Sequence, residues 1–261
     1  MVFDKKFLTS IGILTVVAGV LFGGRKALTK ARQGLARARG IFDKGEFTRQ
    51  LMASAKKKGG LYIAIEGGEG AGKGTVMKRL KDFFANFTES VTFVAEPGST
   101  AVGAEIYKII RAHKLEPRAE LYLFSAARCL IYKTLIEPML KAGGIVFSDR
   151  SFVSSVSYQC FAGGLPLKEV MDNIRLSLDN RLPDFVVYLD VSPEVGLARA
   201  RERNDGGSVY EKLGLDYHEK VRQGYLAQAE YDPRRFIVIQ TDDKTPDQVF
   251  LAVLSTLGER L

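Results

Sequence analysis

From Leu61 to the C-terminus, short apolar runs alternate with longer stretches whose apolar positions recur every three or four residues. Leu61–Glu66 (LYIAIE) is brief, partly β-branched and flanked by glycines, which predicts a buried strand. Val91–Ala95, Ile145–Ser148, Phe185–Leu189 and Phe236–Gln240 have the same character. The segments between them read as helices; in residues 76–87, for example, Val76, Leu80, Phe83, Phe84 and Phe87 fall at helical spacing. Five strands separated by helices predict an α/β fold, a parallel sheet sandwiched between two helical layers. Ligands of such sheets sit beyond the carboxyl ends of the strands, so the residues that follow each strand are the first to inspect.

The first sixty residues have a different pattern. Phe7–Gly24 is 18 residues without a charge, flanked by Lys5 and Lys6 before it and by Arg25 and Lys26 after it. A membrane-spanning helix takes about 20 apolar residues, so residues 7–24 are expected to reach across a thin bilayer and to mediate membrane association. The basic residues Arg25, Lys26, Lys30, Arg32, Arg37 and Arg39 then place the C-terminal side in the cytoplasm. An organelle-targeting segment is the alternative, since residues 25–58 are rich in Arg and Lys with Asp43 and Glu46 as their only acids. Residues 27–39 form a basic helix or a solvated linker, and Lys56–Gly60 (KKKGG) marks a flexible boundary. The chain is therefore divided into an N-terminal helical extension, residues 1–60, and a folded body, residues 61–261.

Charge supports that division. The formal net charge of the 261 residues is +8, yet residues 1–60 hold 13 bases against 3 acids, and residues 61–261 hold 25 against 27. A nearly neutral body argues against nucleic acid as a partner. Two cysteines, Cys129 and Cys160, and two histidines, His113 and His218, offer neither a disulfide framework nor zinc-ligand spacing.

The candidate chemistry begins directly after the first strand. Gly67-Gly68-Glu69-Gly70-Ala71-Gly72-Lys73-Gly74-Thr75 has the spacing G-x-x-x-x-G-K between a buried strand and an amphipathic helix. Glycines such as Gly67, Gly70, Gly72 and Gly74 let successive backbone N–H groups point inward, the helix dipole adds to them, and Lys73 supplies a full charge for the phosphates of a nucleotide. Gly74 stands where Ser or Thr ordinarily meets Mg²⁺, which leaves that role to Thr75, water and more distant carboxylates.

Glu96-Pro97-Gly98-Ser99-Thr100 follows the second strand and Asp149-Arg150-Ser151-Phe152 the third, and a helix between them carries Leu123-Phe124-Ser125-Ala126-Ala127-Arg128. With residues 65–75, 154–159 and 183–201, these elements resemble thymidylate kinases of the bacterial type in order and spacing, over essentially all of residues 61–261. The resemblance implies a P-loop fold like that of nucleoside monophosphate kinases, a three-layer sandwich on a five-stranded parallel sheet. It implies ATP-dependent phosphorylation of dTMP, with ATP and Mg²⁺ as cofactors, and a homodimer by analogy. Phe124 would stack on the thymine ring, with Arg128, Ser155 and Gln159 at the base edge. Asp149 and Arg150 would hold the metal and the acceptor phosphate. Glu96 would lie near the sugar or metal, and Glu69 near the acceptor's 3′-hydroxyl. Arg199, Arg201 and Arg203 would begin a lid crowned by residues 204–208; Arg199 is assigned to ATP and Arg203 to the transferring group. Ser192 is expected to cap the lid helix and Pro193 to start it.

The chain departs from the family pattern at Ala95 and Tyr107, where arginines are usual near the acceptor phosphate, and at Ser151, where an aromatic residue is usual. Lys108 and Arg111 are candidate replacements. Three readings stay open: a dTMP kinase, a kinase for another nucleotide or a deoxynucleoside, and a catalytically weak, membrane-anchored nucleotide-binding protein. The location expected is membrane-anchored with the kinase body facing the cytoplasm; an organelle-targeted or a soluble cytoplasmic protein is the alternative.

Overall fold

The computed structural model describes residues 43–202 and 209–261. The apolar run at 7–24, the basic stretch at 27–39, Arg203 and residues 204–208 lie outside the described residues. Two compact units are distinguished, Met1–Gln50 and Leu51–Leu261, and the sheet and site belong to the second.

Strands β1 (Leu61–Gly67), β2 (Val91–Ala95), β3 (Ile145–Asp149), β4 (Phe185–Asp190) and β5 (Phe236–Gln240) form one parallel sheet in the order β2-β3-β1-β4-β5. Every residue of β1 is buried because it has a strand on each side and helices on both faces, whereas Val238 on edge strand β5 is exposed. Tyr62, Ala64, Val146, Val186 and Tyr188 share a core with Leu121 and Ile131 of α4 (Pro117–Ile131), Val170 and Ile174 of α7 (Leu167–Ser177), and Val221 and Tyr225 of α9 (Leu215–Tyr231). The opposite layer holds α2 (Lys73–Phe83) and α10 (Pro246–Gly258), joined by an Arg79–Asp247 ion pair and an edge-on contact of Phe83 with Phe250 at 6.3 Å. The remaining helices are α1 (Lys44–Lys58), α3 (Ala101–Ala112), α5 (Glu137–Lys141), α6 (Phe152–Ser155) and α8 (Pro193–Glu202).

The periodicity is informative about the elements and less so about their ends. Helix α2 stops at Phe83, not at residue 87: Phe84 leaves helical geometry (φ −101°, ψ 17°), and its ring stacks on Phe147 of β3 at 5.6 Å. Pro193 opens α8 directly after Ser192, whose carbonyl accepts from the Gly196 N–H at 2.9 Å and whose hydroxyl donates to Asp242 Oδ1, a partner fifty residues on. After α6 the backbone widens into a π-helical stretch, Val156–Ala162, closed by the Gly163 N–H donating to the Tyr158 carbonyl at 2.8 Å. Wide turns of this kind concentrate at functional sites, and this one carries Tyr158 and Gln159.

Candidate active site

A cleft of about 880 Å³ opens at the carboxyl ends of the strands. One of its walls is the loop from Glu69 to Thr75, running from β1 into α2. Gly70 has φ 67°, and a Cβ there would come within 1.9 Å of the Gly196 carbonyl oxygen on α8, so the loop's tight seat requires glycine twice over. Gly72, also left-handed at φ 94°, precedes the first turn of α2 and caps it with no side chain, and Lys73, Gly74 and Thr75 of that turn line the cleft. Lys73 Nζ donates to the carbonyl oxygens of Gly67 (3.0 Å) and Gly68 (2.8 Å). Burial, reinforced by the charge of Arg150, lowers its pKa to about 8.

Arg150 meets this loop from β3. Its backbone is left-handed at φ 69°, uncommon for a residue with a side chain, and its Nη1 lies 3.4 Å from the same Gly67 carbonyl. Ser154 Oγ (3.1 Å) and Tyr225 Oη (3.4 Å) also accept from Nη1, Glu69 Oε1 lies 3.4 Å from Nη2, and the guanidinium sits 5.4 Å from the centre of the Tyr158 ring. Beneath them Glu66 is fully buried and accepts from Ser151 Oγ (2.8 Å), Ser154 Oγ (2.7 Å) and Tyr225 Oη (3.1 Å). Burial raises the pKa of Glu66, and Arg150 together with the two serines works against that rise. Asp149 lines the cleft beside Arg150 at the end of β3.

At the other end lies a deep polar cluster. Arg128 is 1 % exposed, with Nε 2.9 Å from Glu96 Oε2 and Nη2 2.8 Å from Ser155 Oγ. Its Nη1 and the second Glu96 oxygen, Oε1, have no hydrogen-bond partner. Glu96 is therefore committed to Arg128 rather than to the phosphate loop, and burial raises its pKa against the opposing pull of that arginine. Gln159 donates from Nε2 to Glu120 Oε2 at 3.2 Å, and Phe124 lines the cleft on the same helix as Arg128. Arg199 lines the opposite rim and donates through Nη2 to the carbonyls of Thr241 (3.0 Å) and Asp242 (2.7 Å).

The sequence profile of thymidylate kinases matches residues 65–250. The chain belongs to the thymidylate kinase family. Curated relatives include the thymidylate kinases of Protochlamydia amoebophila, 38% identical over 222 residues (80% of this chain, 96% of the relative), and Maridesulfovibrio salexigens, 32% identical over 210 residues (77% and 96%). Among solved structures, the thymidylate kinase of Ehrlichia chaffeensis superposes with a TM-score of 0.62 at 26% identity, covering 76% of this chain and 97% of that one.

The family match corrects the expected location. It falls wholly C-terminal to residues 7–24, and among the described residues no helix is long and apolar enough to cross a membrane. The membrane-anchored assignment, with the kinase body facing the cytoplasm, is accordingly withdrawn; residues 7–24 themselves lie outside the described residues.

Of the residues singled out by sequence, Glu69, Gly70, Gly72, Lys73, Gly74, Thr75, Glu96, Phe124, Arg128, Asp149, Arg150, Ser155, Gln159 and Arg199 all line one cleft. Gly67 sits behind it, reached through its carbonyl oxygen. Sequence reasoning missed Ser154, Tyr158 and Tyr225, which contact Arg150, Glu66, which accepts from Ser154 and Tyr225 beneath it, and Glu120 behind Gln159. Ser151, Ser154 and Tyr158 are spaced three and four residues apart after Asp-Arg, a weak signal of one helix face; Tyr225 has no local signal at all.

Proposed function

We propose that the protein phosphorylates dTMP to dTDP with ATP as donor and Mg²⁺ as the accompanying ion, residues 61–261 forming the catalytic body and residues 1–60 an N-terminal extension. The observation that carries this reading is that Lys73 and Arg150 converge on one atom, the Gly67 carbonyl oxygen, in the cleft that also holds Phe124 and Arg128. Transfer requires an acceptor phosphate oxygen to attack the γ-phosphorus while the bond to the β-γ bridging oxygen breaks, releasing ADP. The protein's part in such a step is positioning and charge neutralisation.

The loop amides and Lys73 hold the triphosphate, and Arg199 with Thr241 and Lys244 forms the rim beyond it, where the nucleoside of ATP fits. Lys73 exchanges two carbonyl contacts for phosphate oxygens, which favours its charged form. Arg150 neutralises charge between donor and acceptor, and Glu69 sits within reach of its guanidinium at the acceptor sugar. Arg203 would add charge over the transferring group. Thr75 and Asp149 both line the cleft, and one hydroxyl with one carboxylate suits Mg²⁺, which takes its other ligands from water and phosphate. When bound, the ion neutralises charge on the β- and γ-phosphates.

The base end is selective in its hydrogen-bond pattern. Glu120 accepts from the Gln159 amide nitrogen, so Gln159 Oε1 remains as an acceptor, while Arg128 Nη1 remains as a donor. Thymine offers the complement, a carbonyl at C4 and N3–H beside it. Cytosine would set its amino group against the arginine, leaving buried donors unpaired, and such mismatches discriminate strongly.

Purified protein is given ATP, Mg²⁺ and, separately, dTMP, thymidine or dCMP. Product is expected with dTMP as dTDP. Label appearing only in thymidine monophosphate would reject the reading, and loss of no activity in Lys73→Ala would remove the loop from the mechanism.

A further inference from the structure

The acceptor's phosphate needs positive charge, and the cleft's cations are unevenly placed. Lys73 belongs to the loop that takes the triphosphate, Arg199 and Lys244 to the rim beyond it, and Arg128 to the buried pair with Glu96. Arg150 lies between the two ends. That leaves the wall made by the end of β2 and by α3, where a neutral Ala95 and a phenol, Tyr107, face the cleft along with one further guanidinium, Arg111.

Tyr107 and Arg111 stand four residues apart on α3, one turn along the same helix face. The Arg111 guanidinium lies 5.6 Å from the centre of the Tyr107 ring, a cation–π distance. The ring limits the directions in which the long side chain can point, and its phenol adds a second polar group to the same wall. Lys108 is turned elsewhere: it is absent from the cleft wall and paired with Glu105 at 2.7 Å, with 71% of its side chain exposed.

We propose that Arg111, braced by Tyr107, grips the 5′-phosphate of the acceptor nucleotide opposite Arg150, and that this pair makes the protein a nucleotide kinase rather than a nucleoside kinase. A turn of helix displaces a side chain by about 5.4 Å, within the compass of an arginine stem, so a clamp anchored at 111 reaches phosphate bound along the 107 wall. The guanidinium meets a phosphate dianion in the bidentate geometry that this pair of groups favours. Such a role deepens the dTMP kinase reading and rests on it.

The test uses the full chain and its Arg111→Met variant, and reads wild-type turnover of dTMP first, so that failure of the activity is seen apart from failure of the clamp. The KM for dTMP and the inhibition constant of thymidine, which has the same base and sugar without phosphate, are then measured for each protein. Removing one charge-assisted contact should raise the dTMP KM roughly ten- to a hundredfold, while thymidine binding changes less than about twofold. Tyr107→Leu should give a smaller rise of the same kind, and Lys108→Met should give none. An equal loss for dTMP and thymidine would make Arg111 merely structural, and no loss for either would place the phosphate elsewhere; both outcomes overturn the proposal.

Discussion

Lys73 offers a test that depends on the charge of one atom. In the free cleft, burial and the neighbouring Arg150 lower its pKa to about 8. A bound triphosphate replaces the Gly67 and Gly68 carbonyls with full negative charge and holds the lysine protonated at any pH in the working range. Binding is then coupled to proton uptake: about half a proton per nucleotide at pH 8, about a tenth at pH 7 and about nine-tenths at pH 9. The association constant for ATP should therefore fall about tenfold between pH 7 and pH 9, or about 1.4 kcal/mol. The phenols of Tyr158 and Tyr225 are pushed upward by burial, out of that window. For the free protein the sign is reversed. A lysine with a folded pKa below the unfolded value makes stability rise with pH from about 8 toward 10.5, because the unfolded chain then binds the extra proton. Calorimetric titration with ATP in two buffers of different ionisation enthalpy measures the uptake directly. Lys73→Arg, whose side chain does not titrate, should abolish the pH dependence. Uptake near zero at pH 8, with flat affinity from pH 7 to 9, would refute the electrostatic account of the loop.

Three further outcomes follow from the same geometry. Glu96→Ala leaves Arg128 as a buried, unpaired charge and should cost about 3–5 kcal/mol in denaturant unfolding, whereas Glu96→Leu combined with Arg128→Met should recover most of that stability and none of the dTMP affinity. Gly70→Ala drives a Cβ into the Gly196 carbonyl at a left-handed position and should weaken ATP binding by at least about tenfold; unchanged binding would mean that the seat against α8 is not needed. Gln159→Ala removes the acceptor that Glu120 orients, and should reduce the preference for dTMP over dCMP in competition assays by roughly tenfold.

What sequence made legible here were features with short-range causes. The five strands were visible as apolar runs, and the phosphate loop as glycines spaced around Lys73 between a strand and a helix. The Asp-Arg pair was visible because it follows a strand directly. Features with distant causes were not visible. Tyr225 lies 159 residues from Glu66, to which it donates, and no periodicity links them. Phe84 ends α2 because of a ring on β3. The Ser192 hydroxyl serves Asp242 because β4 and β5 are neighbours, with Asp190 in register with Gln240. Gly70 was legible as loop glycine, but its closest constraint is the backbone of α8, which no loop motif records.

The convergence of Lys73 and Arg150 has its origin in the sheet. β1 and β3 are hydrogen-bonded neighbours with Ile65 opposite Asp149, so the last residue of β1, Gly67, and the first after β3, Arg150, emerge at the same edge before any side chain is placed. The Arg150 N–H donates to the Ile65 carbonyl at 3.0 Å, extending the ladder by one bond into the site. That bond keeps Arg150 on the ladder at its left-handed φ, and Glu66 locks the turn from below through Ser151, Ser154 and Tyr225. A slip of one residue in this pairing would turn Glu66 to the other face and separate the arginine from the loop. The strained backbone at Arg150 thus persists because register, a buried carboxylate and three hydroxyls all specify it, which is the condition under which such strain is retained at functional sites.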